Sequence, residues 1–448
     1  MIEIIPIGGY SQVEGNSVLI KVDDESVILD MGLSMENYVK YQSQKSINQN
    51  KKLTYKELRR VNAVPDYDLI FNEKNTVKAV IPSHAHLDHA GAIPYCMGNF
   101  KNVPVLSGSY TIEFLEKELG STRYKKNFLN NGNELMKLNF NKKYKISNKF
   151  FIELFPITHS VPDSAMIIIH TPYGKILYAV DYKFDLQPQI GNPPNFGRLK
   201  EFGKHGIKCL IVESLYADVD VETESEESVK AQVKSILKKE KCKNKTIVTS
   251  TFSSHVARLK TLIEHGLRLD RTVCLVGRSL NTHYFISNKL GYLNYDDIQI
   301  YSSVREIKKL LQQVKKNSEK YFLICTGHQG EEFSVLSRIF NNEFGYSFKK
   351  EDIMLFSSSV IPTKTNEESF LKLEKKIIKK GLTIYKDIHV SGHAGLKDHY
   401  NLINYLKPEY IIPAHAGHEK AKFIKNLSEQ MKITKTILAS NGDRIVLN

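Results

Sequence analysis

Ser83-His84-Ala85-His86-Leu87-Asp88-His89 follows directly on the apolar run Val77-Lys78-Ala79-Val80-Ile81-Pro82. The run is read as a buried strand that ends at its proline. Three histidines and an aspartate then crowd into the six positions 84–89. Imidazole nitrogen and carboxylate oxygen are the donors that zinc-like divalent ions prefer, and a loop leaving a strand tip can turn alternate side chains toward one point. His84 and His86 are assigned to one ion, Asp88 and His89 to a second beside it. The plain alternative is a polar loop with incidental histidines. Histidine is scarce here, 15 in 448 residues, so a cluster this dense argues for the ions.

A site for two such ions needs a further histidine, a carboxylate to bridge them and a closing histidine, each at a strand end. Ile157-Thr158-His159-Ser160 supplies His159, and Asp181 follows Ile176-Leu177-Tyr178-Ala179-Val180. His415, in Pro413-Ala414-His415-Ala416-Gly417-His418, closes the set. Alone, each is more often a surface or strand-cap residue. Together, in order and all at strand ends, they make a site. Two divalent ions ~3.5–4 Å apart can activate water at neutral pH and stabilise the charge that develops at phosphorus. They do not protonate a leaving 3′ oxygen. His393, in His389-Val390-Ser391-Gly392-His393-Ala394, is the candidate acid, and Glu213, after Leu210-Ile211-Val212, is placed to hold its imidazole protonated. With Asp88 these form the expected catalytic set. The plain alternative for His393 is a cap on a helix beginning near Leu396.

Composition bounds the rest. A chain of 448 residues is too long for one ordinary core, so two domains are expected. Hydrophobic residues at 41% and charged residues at 25% fit a globular protein. No run approaches the ~18 apolar residues of a membrane helix. Met1-Ile2-Glu3-Ile4-Ile5-Pro6-Ile7 reads as a first strand rather than a leader, so no membrane and a cytoplasmic location are expected. Cys96, Cys209, Cys242, Cys274 and Cys325 are odd in number and widely spaced, as suits buried reduced thiols. A net charge of +14 suggests a polyanionic partner. Lysine runs on exposed helix faces and a thermophile-like usage of Lys and Glu explain the same surplus.

Along the chain, strands and turns fill the first third, apart from a polar stretch at 35–68 that reads as a helical insertion or a mobile cover. From Cys209 the rhythm becomes parallel α/β, with short apolar strands alternating with helices. The expected domains are 1–208, an insertion at 209–370, and a returning part at 371–448.

The cluster at 84–89 has the form shared by the metallo-β-lactamase superfamily, and His86 favours its hydrolytic branch. Glu213, His393 and His415 resemble motifs A, B and C of the β-CASP nucleases within it. The likeness runs to ribonuclease J through Gly8-Gly9 with Asn16, Thr158-His159-Ser160, Asp181-Tyr182-Lys183-Phe184-Asp185, Gly277-Arg278-Ser279, Thr326-Gly327-His328-Gln329-Gly330-Glu331 and His389-Val390-Ser391-Gly392-His393-Ala394. It covers essentially the whole chain, which stops after the returning domain as in the archaeal type. The resemblance implies an α/β fold, a metallo-β-lactamase αββα sandwich with an inserted parallel α/β β-CASP domain. It implies two divalent metal ions per subunit, Zn2+ first, with Mn2+ or Mg2+ as alternatives. The implied activity is that of a 5′-to-3′ exoribonuclease preferring 5′-monophosphate ends of single-stranded RNA, in RNA decay or maturation and as a homodimer.

On that resemblance Thr326, Gly327, His328, Gln329 and Gly330 form a phosphate-end pocket, whose glycines expose backbone N–H groups before a helix from Glu331. Arg278 adds a guanidinium, and His389 and Ser391 grip the scissile phosphate. A structural turn is the alternative for the loop. The chain differs from the family at His328, commonly Ser, at Thr363-Lys364-Thr365, which interrupts a Pro-Gly-Asn-Glu, and at Ala179-Val180, commonly Thr-Gly. The alternative activity is that of an endoribonuclease of the 3′-end-processing cleavage-factor type. A non-catalytic RNA-binding scaffold is disfavoured by the complete ligand set. A lactamase-type hydrolase has no need of the inserted domain.

Overall fold

Val- and Ile-rich runs bounded by Gly, Asn and Asp turns become strands. In the computed structural model, which describes residues 1–44, 53–120, 123–239, 242–361, 363–433 and 435–447, these strands form three sheets. The first holds β1 (Ile2–Gly8), β2 (Ser17–Val22), β3 (Glu25–Leu29), β4 (Val77–Ile81), β5 (Val105–Ser107) and β6 (Leu135–Lys137). The second holds β7 (Lys143–Lys145), β8 (Phe151–Pro156), β9 (Ala165–Thr171), β10 (Gly174–Ala179) and β11 (Cys209–Glu213). The third holds β12 (Ile247–Ser250), β13 (Thr272–Val276), β14 (Ile298–Tyr301), β15 (Tyr321–Cys325), β16 (Ile353–Phe356) and β17 (Thr383–Tyr385). Late in the chain β18 (Tyr410–Ala414) joins β11 at the edge of the second sheet, and β19 (Ile445–Leu447) joins β1 at the edge of the first.

Period-two alternation explains how the first two sheets pack. Ile167 turns inward, into a buried cluster with Ile20, Leu29 and Ile81 of the first sheet and Ile211 and Ile412 of the second. Its neighbour Ile168 turns outward, with Phe155 and Leu210, onto Leu199, Leu402 and Ile424. Those three belong to the helices Phe196–Lys204, Leu396–Leu406 and His418–Gln430. On the first sheet, the 3-10 segment Tyr67–Thr76 packs against β1 and β3, and the helix Ser109–Leu119 against β5 and β6. This is the expected αββα sandwich. The third sheet is parallel throughout, in the order β14-β13-β15-β12-β16-β17. Its central strands are buried runs such as Tyr321-Phe322-Leu323-Ile324-Cys325, whereas the edge strands β14 and β17 are partly exposed.

The chain divides into two compact units, 1–184 with 193–223 and 392–448, and 185–192 with 224–391. These limits differ from those expected at 208/209 and 370/371. β11 is not the first strand of the insertion, since it pairs in parallel with β10 and β18 in the second sheet. β17 is not part of the return, since it pairs with β16 in the third. A short apolar strand carries no mark of which sheet it will join, so the rhythm alone placed both crossings early. The polar insertion yields the helices Met35–Gln44 and Tyr55–Arg60, and residues 45–52 of it lie outside the described residues. The departure at 363–365 has a local role: Thr363 accepts the Asn366 N–H and caps the helix Lys364–Lys380. Among the described residues no helix is long and apolar enough to cross a membrane.

Because Ile211 sits fully buried between the two sandwich sheets, Ile211→Ala is expected to cost about 2–5 kcal/mol of unfolding free energy, read from a denaturant midpoint.

Candidate metal centre

Strand tips deliver the clustered side chains. β4 ends at Ile81, His84 leaves from the following loop, and His86 is the N-cap of the one-turn helix Leu87–Ala90 that carries Asp88 and His89. His159 lies in the connection between β8 and β9, Asp181 just past β10, and His415 just past β18. Asp181 and His415 have φ of 52° and 58°, and Asp30, just past β3, has 57°. Non-glycine residues avoid this left-handed region, and where they occupy it the surroundings hold them there. Three such residues at three strand tips mark the place where the fold accepts strain.

Two donor groups converge, His84, His86, His159 and Asp181 in one, and Asp88, His89, Asp181 and His415 in the other, all donor atoms of a group lying within 4.8 Å of one another. Asp181 belongs to both and divides its oxygens between them. Oδ2 lies 3.3 Å from His84 Nε2 and 3.5 Å from His159 Nε2. Oδ1 lies 3.2 Å from both His89 Nε2 and His415 Nε2. In the first group His86 Nδ1 is 3.0 Å from His84 Nε2 and 3.2 Å from His159 Nε2.

Burial lowers the pKa of His84 to about 4 and those of His159 and His415 below the ordinary histidine range, so these rings are neutral. Burial opposes ionisation of Asp181, but His415, His89 and His393 outweigh it and hold the carboxyl well below its usual range. Yet among the described residues buried Asp181 Oδ1 accepts no hydrogen bond. Ring nitrogens packed around an ionised oxygen without an aligned proton are unfavourable unless a cation sits among them. The donor set therefore fits divalent metal.

A second layer aims the rings. Asp30 Oδ2 lies 2.7 Å from His89 Nδ1 and accepts from the Tyr178 hydroxyl at 2.7 Å, while Oδ1 accepts the Ser83 N–H at 2.6 Å. Ser83 Oγ lies 3.0 Å from His84 Nδ1. His159 Nδ1 donates to the Gly392 carbonyl at 2.6 Å, and Ser160 Oγ is 3.3 Å from His86 Nε2. The amide of Asn16 is 2.8 Å from His415 Nδ1. Fixing the far nitrogen in this way sets tautomer and orientation. Gly392 must be glycine, since a Cβ there would lie 2.9 Å from His159 Cε1. The sequence alone does not single out Asp30 for this role. The signal available was an aspartate closing an apolar run two residues before a glycine.

His393 and Glu213 also meet. Nδ1 of His393 is 2.8 Å from Glu213 Oε2, and Oε1 accepts the Tyr182 N–H at 2.9 Å. The His415 ring stacks on His393 at 5.5 Å, and Tyr216 lies at 5.9 Å. Burial alone would lower the His393 pKa, but the carboxylates of Glu213 and Asp181 outweigh it and push it up to about 9. The ring carries its proton at neutral pH. It does not cap the helix Leu396–Leu406, whose N-cap is Gly395.

The residues expected at a phosphate end lie in the other compact unit. β13 connects to β14 on one side and β15 to β16 on the other, so the strand order reverses at the carboxyl ends of β13 and β15, where open parallel sheets characteristically place a ligand crevice. Gly277 and Arg278 follow β13, and Thr326 to Gly330 follow β15. Gly277 has φ 140°, and a Cβ on it would lie 2.6 Å from Thr326 Cγ2, so the two loops touch. Arg278 opens the 12-residue helix Arg278–Lys289.

The loop itself differs from expectation. No helix starts at Glu331; a six-residue helix, Val335–Phe340, starts after the cap Ser334. Two of the loop's N–H groups are engaged within it, Gly330 to the Gly327 carbonyl and Gln329 to Glu331 Oε2. Gln329 is buried, its amide donating to Ser359 O and accepting from the Ile361 N–H, so it braces the chain rather than facing a ligand. His328 packs on Phe252 at 4.0 Å and is neutral, because burial drops its pKa to about 3. The 6.4 Å pair Phe252–His389 places His389 on the same aromatic cluster.

Asp30→Asn keeps the shape of the carboxylate but weakens its hold on His89. Metal affinity is expected to fall roughly 10–100-fold, measured by titration against a competing chelator.

The chain matches three family models, described as "Metallo-beta-lactamase superfamily" at 11–250, "Ribonuclease J, beta-CASP domain" at 244–396 and "Zn-dependent metallo-hydrolase RNA specificity domain" at 382–438. It is 35% identical over 448 residues to "Ribonuclease J" of Pyrococcus abyssi, covering 100% of this chain and 97% of that protein. It is 36% identical to that of Methanocaldococcus jannaschii, covering 96% and 94%, and 28% identical to "Ribonuclease J 1" of Streptococcus pyogenes, covering 99% and 74%. Among solved structures, a protein of unknown function from Enterococcus faecalis V583 shares the fold, with TM-score 0.65, 18% identity and 100% of both chains covered. With a split sandwich, an inserted parallel domain and a His/Asp cluster at the strand tips, the chain belongs to the ribonuclease J family of metallo-β-lactamase, β-CASP proteins.

Proposed function

We propose that this chain hydrolyses RNA phosphodiesters with two divalent ions, working from 5′ to 3′ and preferring 5′-monophosphate ends. The observation that carries the reading is Asp181. One carboxylate faces two sets of imidazoles with a different oxygen toward each. His84, His86 and His159 would hold one ion, Asp88, His89 and His415 the other, with Asp181 between them. Bound there, the pair would supply an activated water and charge stabilisation at phosphorus. Zn2+ is the ion we favour, because imidazole dominates the donors, with Mn2+ and Mg2+ as alternatives.

The chain's own residues supply the rest of the chemistry. His393, held by Glu213, gives its proton to the 3′ oxygen as the P–O bond breaks. At the crevice beside β13 and β15, Arg278 and the first turn of its helix would receive the 5′-terminal phosphate, with Thr326 and His328 on the facing loop. His389 and Ser391 would contact the phosphate backbone. The basic surplus of +14 favours the polyanion. We further propose RNA decay or maturation as the setting, a homodimer as the working form, and the cytoplasm as the location, where five thiols without a disulfide would persist.

Asp181→Ala is expected to lose both RNA hydrolysis and bound metal, read by turnover and metal analysis of the purified protein. His393→Ala is expected to slow RNA cleavage by roughly 10²–10⁴-fold with metal content intact; loss of metal would make His393 a ligand instead. Linear 5′-monophosphate RNA should be degraded faster than 5′-triphosphate RNA, and circular RNA spared. Cleavage of the circle would favour the endonuclease.

A further inference from the structure

The chain passes between its two compact units after Phe184, Asn192, Thr223 and Ser391. Three of those passages lead to one side chain. Arg258 lies on the helix Val256–Arg268 with 0% of its surface exposed. Its guanidinium forks onto Glu226, Nε to Oε2 and Nη2 to Oε1, each at 3.0 Å. The Glu226 N–H donates to Asp185 Oδ2 at 2.9 Å. On its other side Nη1 donates to the carbonyls of Ser357 and Ile388, each at 2.9 Å, and Ser357 Oγ donates to the same Ile388 carbonyl at 3.1 Å.

The stretch held there lacks the usual means of fixing its register. From Lys386 to Ser391 the chain belongs to no strand or helix, and Asp387 has a φ of 59°. Backbone in such a stretch is set by whatever pairs with its polar groups. A fully buried ion pair is also a poor device for stability alone, since apolar residues of similar volume often serve as well.

We infer that Arg258, with Ser357, is a positioning residue for RNA cleavage: by fixing the Ile388 carbonyl it sets the register of the segment running to His393. That segment carries His389, Ser391, the Gly392 carbonyl that aims His159, and His393 itself. The inference rests on the reading of His393 as the acid. Arg258 touches neither substrate nor metal ligand in this role. It acts through the backbone it holds.

Arg258→Lys tests this, because lysine keeps the charge opposite Glu226 but cannot make the fork and reach the carbonyls together. Two substrates are compared, a 5′-monophosphorylated RNA oligomer and bis(p-nitrophenyl) phosphate, whose p-nitrophenolate leaves without a proton. The expected result is a kcat on RNA lowered about 10²-fold, with a clearly smaller loss, within about tenfold, on the aryl ester, because the Gly392 carbonyl that aims His159 lies on the same segment. Amide hydrogen exchange in the peptide spanning 388–393 should quicken in parallel. A folded variant with unchanged kcat on RNA, or with equal losses on both substrates, overturns the proposal. Should Arg258→Lys fail to fold, Ser357→Ala, which removes one bond to the Ile388 carbonyl, is expected to show a smaller loss selective for RNA; no selectivity there overturns it equally. His393→Ala run alongside separates the two readings. If it slows both substrates alike, the acid assignment fails; if it is selective for RNA and Arg258→Lys is not, the positioning role fails.

Discussion

A buried, ionised carboxylate surrounded by imidazole rings is the constraint to which the rest of the first unit answers. Asp181 is 2% exposed, and His84, His89, His159 and His415 press on it from both sides. His84, His159 and His415, driven neutral by burial, do not repay the loss of water from such a group, and His89, raised by the carboxylates around it, supplies the opposing charge. The cluster is a place made for positive charge, and the fold spends rigidity to keep it assembled. Left-handed backbone at Asp30, Asp181 and His415, and hydrogen bonds to the far nitrogen of several rings, are the forms that rigidity takes.

Charge is graded across the site. His84, His159 and His415 are driven neutral by burial, as a metal donor must be. His393, stacked on His415, is driven the other way by Glu213 and Asp181. Opposite protonation in adjacent rings sets neutral imidazoles beside a charged one, the separation that the proposed acid-assisted hydrolysis would need.

Much of this was legible in the sequence. Ser83 to His89 announced its metal chemistry because ligand spacing is local, and His159, Asp181 and His415 followed because each ends an apolar run. Glu213 and His393 were legible as residue types at the right places, and the structure puts them 2.8 Å apart. The domain limits were less legible. β11 and β17 read as members of neighbouring sheets, because strand pairing between distant segments leaves no mark on four or five apolar residues. Gln329 and Gly330 looked like ligands to an anion, and the structure shows the Gln329 amide and the Gly330 N–H bonded within the protein, since glycine serves a tight turn as readily as a phosphate. Asp30 was visible but mute, because its partner His89 is 59 residues away.

The placement of β18 sets an order of assembly. It pairs with β11, Glu213 opposite Ala414, and the whole of 224–391 lies between them. Such a distant pairing is slow to close, and during vectorial synthesis it waits for the inserted unit to emerge. His84, His86, His159 and Asp181 are all in place within the first 181 residues, whereas His415 arrives at the end. The four donors of one group thus precede the insertion in the chain, while His415 of the other, and the Gly392 carbonyl that aims His159, are made only after it, so the centre is complete only when synthesis nears its end.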